Sequence, residues 1–302
     1  MRKTLSDLLV QAAANDPCFL LLTGDHGYAL FDCLRAEKPD RFVNCGVAEQ
    51  NMVGVAAGLA KAEMRPVVYG LAAFIPIRVL EQIKIDLCLA QLPVVMLGDG
   101  AGFVYSSLGS SHQCFEDIAA LRALPHITIM SPSDRHELVQ CFEAVRASQG
   151  PSYIRLCKAD LGDVHADGEA VRTGDWIFPV IAKRQRTICL ATGSMVRIAQ
   201  RAIERRALPV DLHSIARLKP LDPAAILDIC RNRDRIVVAE EHSIFGGLGS
   251  IVSEAIAGKI TADLRFLGIR DKFSGECGTY QHLLHFHGLD EDSVLEALAE
   301  NV

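Results

Sequence analysis

From residue 4 to residue 160 the chain alternates short apolar runs with stretches of helical spacing, and this alternation restricts the fold more than any other feature. Phe19–Thr23, Val67–Gly70, Pro93–Leu97, Ile127–Met130 and Tyr153–Leu156 read as buried strands. Strands alternating with helices imply a parallel sheet covered on both faces. Helical periodicity fills the gaps, as in Asp134–Ala147, with Ser133 as the expected N-cap. From 163 to 186 the pattern lapses into Gly, Asp and His, which reads as an inter-domain linker. A second unit then begins: Thr187–Thr192 as strand, Gly193-Ser194 as turn, Met195–Arg206 as helix. Further strands are expected at Val210–His213, Arg235–Glu240 and Leu264–Gly268. The expectation is an α/β protein with a larger domain over 1–162 and a smaller α/β domain over 187–302.

With 302 residues, half of them apolar, the chain can bury a sizeable core without staples. A net charge of −6 without a basic tail argues against nucleic acid as a main partner. No apolar run reaches membrane-spanning length. The start, Met1-Arg2-Lys3-Thr4-Leu5-Ser6-Asp7, turns acidic too early for a secretory signal. The ten cysteines are scattered and never form C-x-x-C, which suggests reduced thiols in a cytoplasmic protein.

The segment Gly46-Val47-Ala48-Glu49-Gln50-Asn51-Met52 sets one carboxylate among small and apolar residues at the opening of a Gly/Ala-rich helix. A carboxylate there is either a partly desolvated group able to share a proton or a helix-start Glu favoured by the macrodipole. This segment resembles the glutamate motif of the transketolase family, in which the Glu contacts the aminopyrimidine of thiamine diphosphate. Leu22-Thr23-Gly24-Asp25, Asp40-Arg41-Phe42-Val43-Asn44, Pro66-Val67-Val68-Tyr69, Arg78-Val79-Leu80-Glu81-Gln82-Ile83 and Glu240-Glu241-His242-Ser243-Ile244-Phe245-Gly246-Gly247-Leu248-Gly249 fit the same family in order and spacing. The resemblance covers nearly the whole chain. It implies a pyrimidine-binding domain followed by a transketolase C-terminal domain.

Family members hold Mg²⁺ with a Gly-Asp-Gly followed about thirty residues later by Asn. Gly98-Asp99-Gly100 imitates the first part, but no Asn occurs between Asn51 and Asn232. His126 and Ile127 near that spacing do not suit a hard ion. The triplet therefore reads as a strand-end turn, and no metal site is assigned to this chain. By resemblance, this chain carries the pyrimidine-binding half of a split enzyme. A separate N-terminal transketolase subunit would supply the Mg²⁺ and diphosphate contacts in an α2β2 assembly. The reaction implied moves a two-carbon ketol unit from a ketose donor to an aldehyde acceptor.

The resemblance also distributes roles. Glu49 would hydrogen-bond the pyrimidine ring, and Phe74 would stack on it, with Leu71 and Ile77 standing where aromatics are common. Arg78 and Gln82, one turn apart, read as structural or interface residues. His112, after the small residues of Gly109-Ser110-Ser111, would touch substrate. Leu108 replaces an Asp that usually contacts a donor hydroxyl, which puts the usual ketose donor in doubt. A subgroup with L-G-x-T-H in this loop and T-G-D-L-G-F near the start is closer, and His26 replaces its Leu. Lys158, where sugar-phosphate users have Arg, and Arg155 on the same strand are candidate substrate cations, or simply solvated charges. Alternatives are a 2-oxo acid dehydrogenase or deoxyxylulose-phosphate-synthase-like subunit, or a non-catalytic partner. His282-Leu283-Leu284-His285-Phe286-His287 is spaced poorly for zinc, and Gly246-Gly247-Leu248-Gly249 lacks the G-x-G-x-x-G spacing of a dinucleotide site and reads as the opening of a helix.

Overall fold

The computed structural model describes residues 1–157, 161–167 and 174–299. In chain order the strands are β1 Phe19–Thr23, β2 Phe42–Asn44, β3 Arg65–Leu71, β4 Val95–Asp99, β5 Thr128–Met130, β6 Ser152–Leu156, β7 Ile177–Ile181, β8 Thr187–Ala191, β9 Val210–Ile215, β10 Arg217–Lys219, β11 Arg235–Ser243 and β12 Asp263–Ile269. They form one sheet in the order β10-β5-β6-β4-β3-β1-β2 and another in the order β12-β11-β8-β9-β7. All pairings are parallel except β10 on β5 and β7 on β9.

The central strands are apolar on both faces because both faces are covered. β4 and β6 are buried at every residue. Successive side chains of a strand point to opposite faces. Val68, Met96 and Tyr153 pack with Met52, Val53 and Ile118 on one side. Val67, Leu97 and Ile154 pack with Leu9, Leu138 and Phe142 on the other. The first of these cores runs on into Ile188, Leu190 and Ile236 of the second sheet and Leu248 of the helix that packs on it, so the two units share apolar packing.

Three strands depart from the sequence expectation. Ile177–Ile181, inside the interval read as linker, is an edge strand of the second sheet, where Pro179 is tolerated because an edge needs fewer donors. β10 comes from the second half of the chain yet completes the edge of the first sheet. β2 is three residues long and mostly exposed. The Arg135–Ala147 helix is capped by Asp134 rather than Ser133: the Asp134 carboxylate accepts from the backbone N–H of His136 and Glu137, each at 2.9 Å. Ser133 instead offers its backbone N–H to Glu137.

β1 lies between β2 and β3, so the strand order reverses there. In open parallel sheets, ligands bind in the crevice at the carboxyl ends of strands beside such a reversal. The loops after β1, β2, β3 and β4 hold Asp25–His26, Gly46–Glu49, Phe74–Arg78 and Tyr105–His112 respectively.

Candidate active site

Glu49 is the first residue of the Glu49–Lys61 helix, whose preceding Ala48 offers no side-chain cap. The helix N-terminus favours an anion there. Only 3% of its side chain is exposed, an unusual burial for a carboxylate. One oxygen, Oε2, accepts from Arg78 Nη1 at 3.0 Å. The other, Oε1, is buried without a hydrogen-bond partner. Gly24 lies against this site: a Cβ there would stand 3.1 Å from the Gly46 carbonyl oxygen and 4.0 Å from Glu49 Cγ.

The Arg78 guanidinium does two things at once. While it donates to Glu49, its carbon stands 3.9 Å from the centre of the Phe74 ring. A planar cation on an aromatic face is attracted by the ring quadrupole. Phe74 in turn meets the His112 ring edge-on at 5.4 Å and the His26 ring at 6.2 Å. Glu49, Arg78, Phe74, His112 and His26 thus form one cluster drawn from four loops. Sequence reasoning missed Arg78, because its exposed helical position carries no sign of a buried partner. His26 was visible only as an odd substitution.

Leu71 ends β3 and is buried, and Ile77 is half-buried on the same loop as Phe74. Leu108 is 53% exposed on the short turn Ser106–Leu108 that leads to His112. Ser111 Oγ lies 2.9 Å from His112 Nδ1. The loop bearing these residues is tethered to the second unit. Phe103 N–H donates to Glu241 Oε1 at 2.5 Å, and Ser110 Oγ donates to the Ser274 carbonyl at 2.7 Å. Gly102 has φ +70° and leaves no room for a side chain, since a Cβ would lie 2.1 Å from Glu241 Oε1.

Arg155 is not at a substrate surface. It is 3% exposed and its guanidinium is fully engaged, with Asp117 at 2.9 Å and the carbonyls of Cys114 and Glu241 at 3.2 and 2.8 Å. It ties the units together, and the substrate role expected for it is withdrawn. Lys158 lies outside the described residues.

Gly98 and Gly100 owe their identity to packing. A Cβ at Gly98 would meet the Tyr153 hydroxyl at 2.3 Å, and Gly100 has φ +74° beneath the Tyr105 ring. Asp99 between them accepts from the Tyr105 hydroxyl at 2.8 Å. Among the described residues Asp134, His136 and Asp163 are close enough to share an ion. However, Asp134 already accepts from four backbone N–H groups and Asp163 pairs with Arg135 at 2.7 Å, so the group is a helix cap. The three C-terminal histidines turn to separate partners: His282 to Glu276, His285 to Asp290 and His287 to Ser274. Gly246–Gly249 opens the Leu248–Ile256 helix, whose first N–H groups are taken by Glu240 at 2.7 and 2.8 Å.

Residues 1–163 match the profile of the transketolase pyrimidine-binding domain, and residues 179–294 match that of the transketolase C-terminal domain. The chain belongs to the transketolase family. It is 32% identical to one of the subunits of the apulose-4-phosphate transketolase of Phocaeicola vulgatus, over 100% of this chain and 97% of that one. It is 31% identical to the 6-deoxy-6-sulfo-D-fructose transketolase subunit SqwH of a Clostridium species, over 99% and 94%. A solved structure described as a split gene transketolase, inactive beta4 tetramer, superposes with a TM-score of 0.85 at 29% identity, covering 98% of this chain and 96% of that one. This chain is therefore a transketolase-type subunit of the split kind, with the thiamine diphosphate dependence and the N-terminal partner that this family implies. Among the described residues, no helix of this transketolase subunit is long and apolar enough to cross a membrane.

Proposed function

We propose that this chain supplies the pyrimidine-binding half of a thiamine diphosphate site in a two-chain transketolase, which moves a two-carbon ketol unit from a ketose donor to an aldehyde acceptor. The observation that carries this reading is Glu49: a buried carboxylate with one oxygen held by Arg78 and the other unpartnered. Buried polar atoms are normally paired, so the spare oxygen fits a ring N–H brought by the cofactor. When bound, thiamine diphosphate supplies a nucleophilic carbon that can break and remake bonds beside a carbonyl. Glu49 holds the pyrimidine and keeps a proton at its ring nitrogen. Phe74 offers the stacking surface, with Leu71 and Ile77 as apolar lining. His112 donates to the substrate oxygen where charge develops. Lys158 is kept as a candidate phosphate contact on resemblance alone.

The rest of the site belongs to a partner in this reading. Val47, just before the Glu49 helix, is 73% exposed and Val55 on it 40%, and Gly54 and Gly58 on that helix have open space around them. Such a face suits another chain closing over the crevice. The partner would bring Mg²⁺ and the diphosphate contacts, in an α2β2 assembly in the cytoplasm, without nucleic acid or membrane. The inactivity stated for the similar beta4 tetramer supports partner dependence.

Glu49→Gln in the reconstituted complex tests the assignment. Turnover should fall by about 10²–10⁴-fold, the usual worth of a positioned acid/base group. Circular dichroism and the thermal midpoint should stay close to those of the unaltered complex. Normal turnover by the variant would end this reading.

A further inference from the structure

His26 stands in the crevice at a position where the T-G-D-L-G-F subgroup has Leu, and the chain holds it there firmly. Asp25 before it has φ +62°, and Ala29 after it has φ +60°. Left-handed backbone at non-glycine residues persists only where the surroundings enforce it, and it concentrates at functional sites. The enforcement is visible. Asn44 Oδ1 accepts from the backbone N–H groups of Asp25 at 3.1 Å and Gly46 at 2.9 Å, and Thr23 Oγ1 donates to the His26 carbonyl at 3.1 Å. Gly27, with φ +86°, cannot be any other residue, because a Cβ would lie 2.1 Å from the Phe31 ring.

This loop sets the imidazole against Phe74, the ring that also meets His112 and Arg78. Its Nε2 is screened from solvent and has no hydrogen-bond partner. Leu would fill the same place without that cost, so the nitrogen calls for a ligand. Burial lowers the pKa against the opposing pull of Glu49, Asp25 and Asp99, leaving a neutral ring near neutral pH. A neutral imidazole near carboxylates does not suit a phosphate or sulfonate. It does suit a hydroxyl, which both donates and accepts. Because Glu49 is the cofactor-binding end of the crevice, the hydroxyl is one at the reacting end of the substrate. Leu108, on the turn that leads to His112, can make no such bond.

We propose that His26 is a specificity-determining residue whose Nε2 hydrogen-bonds the hydroxyl adjacent to the ketone of the donor. This inference rests on the ketol-transfer reading above. The test uses the complex of full chain and partner, with hydroxypyruvate and pyruvate as probes that differ in that one hydroxyl. His26→Leu should raise KM for hydroxypyruvate and erase about ten-fold or more of its kcat/KM preference over pyruvate. His26→Gln, which keeps a hydrogen-bonding end, should restore part of that preference. Thiamine diphosphate affinity, titrated by calorimetry, should move by less than about two-fold in both variants. A His26→Leu complex that keeps the wild-type preference overturns the proposal. So does one that loses cofactor affinity while keeping the preference, which would assign His26 to the cofactor pocket. A wild-type complex that binds thiamine diphosphate yet turns over neither keto acid would instead sink the ketol-transfer reading on which both rest.

Discussion

At the scale of single residues, the pair Glu49–Arg78 is the centre of the account. Arg78 is exposed enough that its ion pair alone would contribute little to stability. Its value lies in geometry, since a flat guanidinium can bond a carboxylate and lie on an aromatic ring together. Lys can bond the carboxylate but not stack in the same way. Arg78→Lys should therefore cost roughly ten-fold in turnover, and Arg78→Met more, each measured in the complex with cofactor affinity followed by titration. Variants that match wild type in both would show that Arg78 does not position Glu49. This pairing was not legible in the sequence. The helical spacing placed Arg78 one turn from Gln82 and said nothing of Glu49, which lies on another loop.

At the scale of elements, the apolar runs marked the strands that are buried on both faces, and Glu49, Phe74 and His112 were legible through the family motif. What escaped were elements whose existence depends on tertiary partners. β2 and β10 are three residues long and carry no apolar run, while β7 is apolar throughout but holds Pro179, which argues against a strand unless that strand lies at a sheet edge. Arg155 shows the same limit from the other side. On a strand it reads as a cation available to a substrate, whereas the fold buries it against Asp117. Removing one partner of a buried pair leaves the other uncompensated, so Arg155→Met should lose about 3–5 kcal/mol of stability in denaturant unfolding. An unchanged midpoint together with a raised KM for a phosphorylated donor would return Arg155 to the substrate site.

At the scale of the whole molecule, the two units meet through buried titratable groups as well as apolar side chains. His242 of β11 lies 3.8 Å from Asp117 and accepts from the Ala119 N–H, while Glu240 caps a helix of the second unit. Burial pushes His242 down to about 4 and Glu240 up to about 7. The two have opposite signs in linkage. Neutral His242 contributes stability that is full above the ordinary pKa of 6.5 and is lost as pH falls to about 4. Glu240 contributes stability that is present below 4.5 and is lost as pH rises to about 7. Between those limits they oppose each other. Glu240→Gln should therefore steepen the loss of thermal midpoint on acidification, and His242→Gln should flatten or reverse it. Parallel pH profiles for both variants and wild type would contradict this balance.

The central claim is that the Glu49 crevice is one half of a shared cofactor site. The most direct measurement is a calorimetric titration of thiamine diphosphate with Mg²⁺ into the isolated chain and into its complex with the N-terminal partner. The account predicts saturable binding by the complex and none by the chain alone. Tight binding by the chain alone, or no binding by either, would contradict it.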